Sequence, residues 1–139
     1  MRKEIYIICS LLISLTYSLE SKSQQIQSER KLITGTWVST EGDWTFTFEN
    51  DSICKEFLVK KLQGKYLYKI TSANSYCGKL SQVDVNDKTI SYLQLNNVET
   101  KEITCYENNG VSKTTLSITE YMMPEAALFK RKLISKKGK

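Results

Sequence analysis

Gly35-Thr36-Trp37, followed after a short gap by Trp44-Thr45-Phe46-Thr47-Phe48, is the stretch that decides the fold. In its second part Trp44, Phe46 and Phe48 alternate with Thr45, Thr47 and Glu49. A period of two is the signature of a strand with one face packed and one face wet. The aromatic side chains suit the packed face and the β-branched threonines the other. Glu41-Gly42-Asp43 supplies the glycine and aspartate of a tight reversal, so Thr34 to Thr40 and Trp44 to Phe48 read as an antiparallel pair.

The same alternation continues outward. Asn50-Asp51-Ser52 reads as a turn, and Ile53 to Lys60 as a third strand whose pattern blurs at Phe57-Leu58-Val59, the mark of a bulge. Gln63-Gly64 reads as the next turn. Tyr66, Tyr68 and Ile70 then share one strand face, opposite Lys65, Lys69 and Thr71. Thr71 to Gly78 is rich in turn-forming residues and reads as a loop carrying Cys77. Beyond it, strands are expected at Leu80 to Val85, at Thr89 to Leu95 up to a break at Asn96-Asn97, and at Lys101 to Glu107 and Thr114 to Glu120 around an Asn108-Asn109-Gly110 hairpin turn. Ala126 to Leu133 closes the series after Pro124, the only proline.

Eight or nine short strands joined by brief polar turns leave no crossover long enough for parallel pairing. The expected fold is therefore all-β, an antiparallel up-and-down meander. Such a meander has exposed edges unless its last strand pairs with its first. A small closed barrel follows, with a two-sheet sandwich as the competing arrangement. About eight strands enclose room for side chains or one small ligand.

A single domain fits the length of 139 residues. Residues 1–23 read as an export signal: Met1-Arg2-Lys3-Glu4 precedes an apolar stretch from Ile5 to Leu19 that is too short and too rich in Ser and Thr for a good membrane span. Ser21 and Ser23 suit cleavage before Gln24, and Thr16-Tyr17-Ser18 is a second candidate. Residues 24–31 read as a short leader with a helical turn around 28–32, residues 32–133 as the barrel domain and residues 134–139 as a basic tail. The mature protein is expected to be exported, periplasmic or secreted, with no transmembrane span.

The basic balance belongs to the chain end. Lys130, Arg131, Lys132, Lys136, Lys137 and Lys139 crowd the last ten residues, whereas Gln24 to Phe129 holds slightly more acids than bases. The tail lacks the interleaved aromatics that stack on bases, so no nucleic-acid partner is expected. After cleavage Cys54, Cys77 and Cys105 remain, an odd number in an oxidising compartment. One bridge and one free thiol is the natural reading. Cys77 with Cys105, loop to late strand, is favoured, and Cys54 with Cys77 stays open. With no histidine and no C-x-x-C spacing, no metal site is expected, and no cofactor motif is present. Catalysis is not expected either, since no pair among Asp43, Glu49, Asp84 and Glu102 has a spacing that compels a shared acid–base site. Asn50-Asp51-Ser52 also spells an N-glycosylation acceptor, read here as a turn.

Gly35-Thr36-Trp37 near the start and Phe129-Lys130-Arg131 near the end together resemble the two ends of a lipocalin-type barrel, closest to the short lipocalin-like domains of exported bacterial proteins. Cys105-Tyr106-Glu107 followed by Thr114 to Ile118 has the look of their penultimate hairpin. The resemblance implies that Arg131 crosses Trp37 and plugs the closed end, Gly35 opening the motif. It implies ligand binding at the opposite mouth. Trp44, Phe46, Phe48, Tyr66, Tyr68 and Tyr92 are the candidate cavity residues for a small apolar or aromatic ligand, because a buried phenol needs a hydrogen-bond partner that a polar-tipped ligand or water supplies. The alternative is a filled barrel that binds another protein through the loop from Thr71 to Gly78.

Overall fold

The computed structural model describes residues 24–50, 52–82 and 89–133. The segment read as an export signal (1–23), the segment read as a basic tail (134–139), Asp51 and the segment 83–88 lie outside the described residues, and with them most of the strand expected at Leu80 to Val85.

Eight strands form one closed barrel in sequence order: β1 (Gly35–Ser39), β2 (Trp44–Phe48), β3 (Ile53–Leu58), β4 (Lys61–Ser72), β5 (Ser91–Asn97), β6 (Ile103–Val111), β7 (Thr115–Glu120) and β8 (Ala127–Arg131). All pairs are antiparallel, and β8 seals against β1 with Trp37 opposite Arg131 and Ser39 opposite Phe129. Closure removes every edge, which is the physical reason that a meander of this length curls up rather than lying flat.

The interior is packed. Trp37, Phe46, Phe48, Cys54, Leu93, Leu95, Leu116, Ile118 and Phe129 form one buried cluster, to which Tyr68, Ile70 and Tyr106 belong. Phe46 lies 5.8 Å from Phe48 and 5.5 Å from Phe129, and Phe48 meets Tyr68 edge-on at 5.0 Å. Such tilted and edge-on pairs add to the area they bury.

Residues 24–31, read above as a leader with one helical turn, are part of a helix, α1, over residues 24–33. Its run of Gln, Glu, Arg, Lys and Leu favours helix and contains no Gly or Pro. Ile26 and Ile33 stand seven residues apart on one face, and both pack against the barrel core. Glu29 fastens the helix to β5 and β6 by accepting from Ser91 Oγ and Asn108 Nδ2, each at 3.2 Å.

Three turns fall elsewhere than the sequence pattern suggests. The β3–β4 reversal is at Val59-Lys60, both at positive φ (48° and 66°), rather than at Gln63-Gly64. Gly64 instead lies within β4 under the Tyr66 ring, where a Cβ would come within 2.6 Å of the hydroxyl. The expected irregularity is present as a register shift between Glu56 and Phe57, with Gln63 as the extra residue on the opposite strand. Asn108-Asn109-Gly110 is a bulge inside β6 and not a hairpin turn. Asn108 Oδ1 accepts from Gly110 N, and Ser112 builds the turn by accepting from Thr114 N and Thr115 N at 3.2 and 2.9 Å. Rather than breaking the strand after Leu95, Asn96 and Asn97 are the last two residues of β5, and both pair with β4.

The expected loop from Thr71 to Gly78 is the end of β4, a turn and a short helix, α2 (Tyr76–Leu80). Ser75 caps α2, its Oγ accepting from Gly78 N. Helix α2 packs on the outside of β5, where Cys77, Tyr92 and Cys105 form a second, smaller buried cluster. The Cys77–Cys105 disulfide joins α2 to β6, and Cys54 is a free, buried thiol in the barrel interior. Gly78 allows this docking, since a Cβ there would stand 1.8 Å from the Ala73 carbonyl oxygen.

Candidate functional site at the open mouth

The two ends of the barrel differ in construction. At one end α1 and Arg131 close the interior. The Arg131 guanidinium lies 4.2 Å from the centroid of the Trp37 ring, donates to the carbonyls of Thr34 (2.6 Å) and Lys113 (2.7 Å), and also bonds the Leu32 carbonyl. A helix leaves its last carbonyls unpaired and carries partial negative charge there, so a cation at the end of α1 satisfies both demands. Trp37 Nε1 donates to Ile33 O at 2.6 Å. Gly35 has φ of 130°, and a Cβ on it would stand 2.6 Å from an Arg131 terminal nitrogen. Gly35, Trp37 and Arg131 are thus one closure device, and its role is structural.

The opposite end carries the turns 40–43, 59–60 and 98–102 and the loop 121–126. Here the core stops short of the surface. A recess of about 310 Å³ opens among Trp44, Tyr106, Ile118, Met123, Pro124 and Ala127, with Glu120 and Glu125 beside them. Its floor is aromatic: Trp44 lies 5.1 Å from both Phe46 and Phe129 and 6.4 Å from Tyr106. Two further recesses adjoin it around Trp44, one reaching Glu41, Asp43 and Glu125, the other Glu41, Asp43 and Glu56.

Glu56 is the organising carboxylate of this end. One oxygen accepts from Trp44 Nε1 at 2.9 Å and the other from Tyr66 OH at 2.7 Å. These bonds hold both rings in place at the rim. Burial, and then the hydrogen bond to Glu56, push the Tyr66 phenol above its ordinary range. Tyr106 sits deeper, 4 % exposed. Burial first, then the Glu120 and Glu56 carboxylates, hold its phenol protonated well above the ordinary tyrosine range. Tyr106 and Glu120 are register partners across β6 and β7, which puts both side chains on the same face.

The six residues proposed as cavity lining are therefore divided. Trp44 lines the recess. Tyr66 stands at the rim through Glu56. Phe46 and Phe48 fill the interior, and Tyr68 lies toward the closed end, donating to the Glu49 carbonyl at 3.3 Å and facing a separate polar groove with Arg30, Lys31 and Lys69. Tyr92 is not inside the barrel at all. It is buried on the outer face beneath α2, because strand alternation sends Leu93 and Leu95 inward and Tyr92 and Gln94 outward.

The sequence pattern did not single out Glu56, Tyr106, Glu120 or the loop 121–126. Tyr106 follows the disulfide cysteine Cys105, so alternation places it inward, and that was the available signal. Glu56 and Glu120 are charged residues on inner faces and contradict the simple apolar-in pattern, which is itself the mark of a mouth rather than a core.

Among the described residues no three His, Cys, Asp or Glu side chains converge to hold a metal ion, and no helix is long and apolar enough to cross a membrane. In general shape the eight-stranded antiparallel barrel is consistent with a lipocalin-like barrel. No known protein family, no curated protein and no solved structure matches this chain.

Proposed function

We propose that this chain is an exported, non-catalytic binding protein of lipocalin-like build that holds a small apolar or aromatic ligand in the barrel mouth. The observation that carries this reading is the aromatic-floored recess of about 310 Å³ beside Trp44 and Tyr106, at the lower end of the roughly 300–1,000 Å³ typical of ligand pockets. The packed interior beneath it limits the ligand to a compact body, since Phe46, Phe48 and Phe129 leave no deep cup. The Cys77–Cys105 disulfide supports an oxidising compartment.

The test is calorimetric titration of the purified protein with 1-naphthalenemethanol, a neutral aromatic probe, alongside amide chemical-shift mapping. Saturable binding with shifts confined to Trp44, Tyr106, Ile118 and Ala127 is the expected result. Ala127→Phe fills the recess and abolishes uptake while the fold stays intact. Absence of saturable binding, or shifts centred elsewhere, overturns the reading.

A second reading, docking of a protein partner, is favoured by one observation. Met122 and Met123 in the loop 121–126 are 86 % and 58 % exposed beside the recess, and flexible, polarisable methionines are common on adaptable binding surfaces. In that case the loop 121–126, rather than the Thr71 to Gly78 segment anchored by α2, is the working surface.

A further inference from the structure

We propose that the ligand of the mouth recess carries a positive charge: a compact apolar or aromatic amine, its ammonium held between Glu120 and the Tyr106 hydroxyl and its body against Trp44. This deepens the small-ligand reading of the mouth and rests on it.

Two independent observations meet here. The first is charge. Every charged residue lining the recess and its two neighbours is an acid: Glu120 and Glu125 in the recess itself, Glu41, Asp43 and Glu56 around Trp44. The lysines of this end, Lys60, Lys61 and Lys101, stand on other turns and line none of the three. Glu56 spends its two oxygens on Trp44 and Tyr66, whereas the Glu120 carboxylate has no hydrogen bond or ion pair among the described residues.

The second is an unused polar group. Tyr106 is 4 % exposed and lines the recess; its hydroxyl has no hydrogen-bond partner among the described residues and is not one of their fully buried polar atoms, so it opens onto the recess. A hydroxyl that opens onto a recess from an otherwise buried side chain can pair only with what enters that recess, water or a ligand. The hydroxyl oxygen accepts from an ammonium, and Glu120, its cross-strand neighbour, balances the charge. A neutral apolar ligand covering Glu120 would desolvate a carboxylate with nothing in return, and an anionic ligand would add repulsion. The indole face of Trp44 is left for the apolar or aromatic body, which it meets by stacking and dispersion.

The test is a matched pair of probes on the full-length protein: 1-naphthalenemethylamine against 1-naphthalenemethanol, titrated at low and at raised salt. The amine is expected to bind about tenfold more tightly, which corresponds to about 1.4 kcal/mol, and added salt is expected to narrow that ratio. Glu120→Gln is expected to bring the two probes within about threefold of each other, and Tyr106→Phe to weaken the amine while leaving the unfolding midpoint in place, since its hydroxyl has no protein partner to lose. If both probes bind and the alcohol equals or exceeds the amine, the charge assignment is overturned and the small-ligand reading stands. A tenfold preference that survives Glu120→Gln overturns the role of that carboxylate. If neither probe binds, the mouth reading itself fails and this inference with it.

Discussion

Replacing Arg131 by methionine tests the closure of the barrel most directly. The side chain makes three bonds to backbone carbonyls, of Leu32, Thr34 and Lys113, and covers the Trp37 ring. Charged hydrogen bonds contribute about 1.5–3 kcal/mol each when their loss leaves the acceptor unpaired. The Lys113 carbonyl is exposed and recovers its bond from water, so two bonds remain at stake. The cation over the indole adds about 0.5–2 kcal/mol, and methionine restores part of the apolar contact. A loss of about 3–6 kcal/mol follows, which moves a urea midpoint down by about 2–4 M at a slope near 1.5 kcal/mol per M. Arg131→Lys keeps the charge without the planar fork and is expected to fall between the two. Gly35→Ala is the coupled perturbation, because its Cβ collides with the guanidinium. In the Arg131→Met background it should cost only the backbone strain at positive φ, about 1–3 kcal/mol, and so less than in the natural chain. A midpoint shift under about 0.5 M for Arg131→Met, or strict additivity of the pair, would refute the closure argument.

Three further outcomes follow from the geometry. Cys54 is buried in the barrel interior and burial pushes its thiol up, so a thiol reagent at about pH 8 should label it only as fast as the protein opens, and at once in denaturant; prompt native labelling contradicts its placement. Tyr66, Tyr68 and Tyr106 all have phenols raised above the ordinary value of 10.0. Above that pH the folded chain holds more protons than the unfolded one, so stability is fully present below pH 10 and is lost as pH rises toward the folded values; residue-resolved NMR should show the Tyr66, Tyr68 and Tyr106 rings ionising only together with unfolding, and their reversible ionisation near pH 10 in the folded chain would tell against their burial. Gly78→Ala drives a Cβ into the Ala73 carbonyl and should cost about 1–3 kcal/mol as α2 shifts on its disulfide; an unchanged thermal midpoint would show that α2 is not docked as described.

Much of the barrel was legible because its strands obey one local rule. Trp44, Phe46 and Phe48 alternate with threonines, and that pattern alone placed β2 at its observed bounds. The errors fall where a local signal has two uses. Gln63-Gly64 and Asn109-Gly110 have the residues of turns, yet both serve as bulges, because the pairing of the neighbouring strands, and not the dipeptide, sets where the chain reverses. Residues 24–33 showed too short a period to read as a helix, and only the barrel end they cover gives Ile26 and Ile33 a surface to bury. The candidate site was the least legible. Tyr92 and Tyr106 are both tyrosines on strands, but which face each presents depends on the registers of β5 and β6, and those registers send one beneath α2 and the other into the mouth.

By itself the sequence determined the antiparallel meander, since that rests on a period of two; closure was its expected outcome against a two-sheet sandwich, and the meeting of Gly35, Trp37 and Arg131 was what the resemblance to lipocalin-type barrels implied. Only the tertiary structure decided that the interior is filled at one end and open at the other. That distinction depends on how large side chains from eight strands share one volume, and on where Glu56 and Glu120 fall when it runs out.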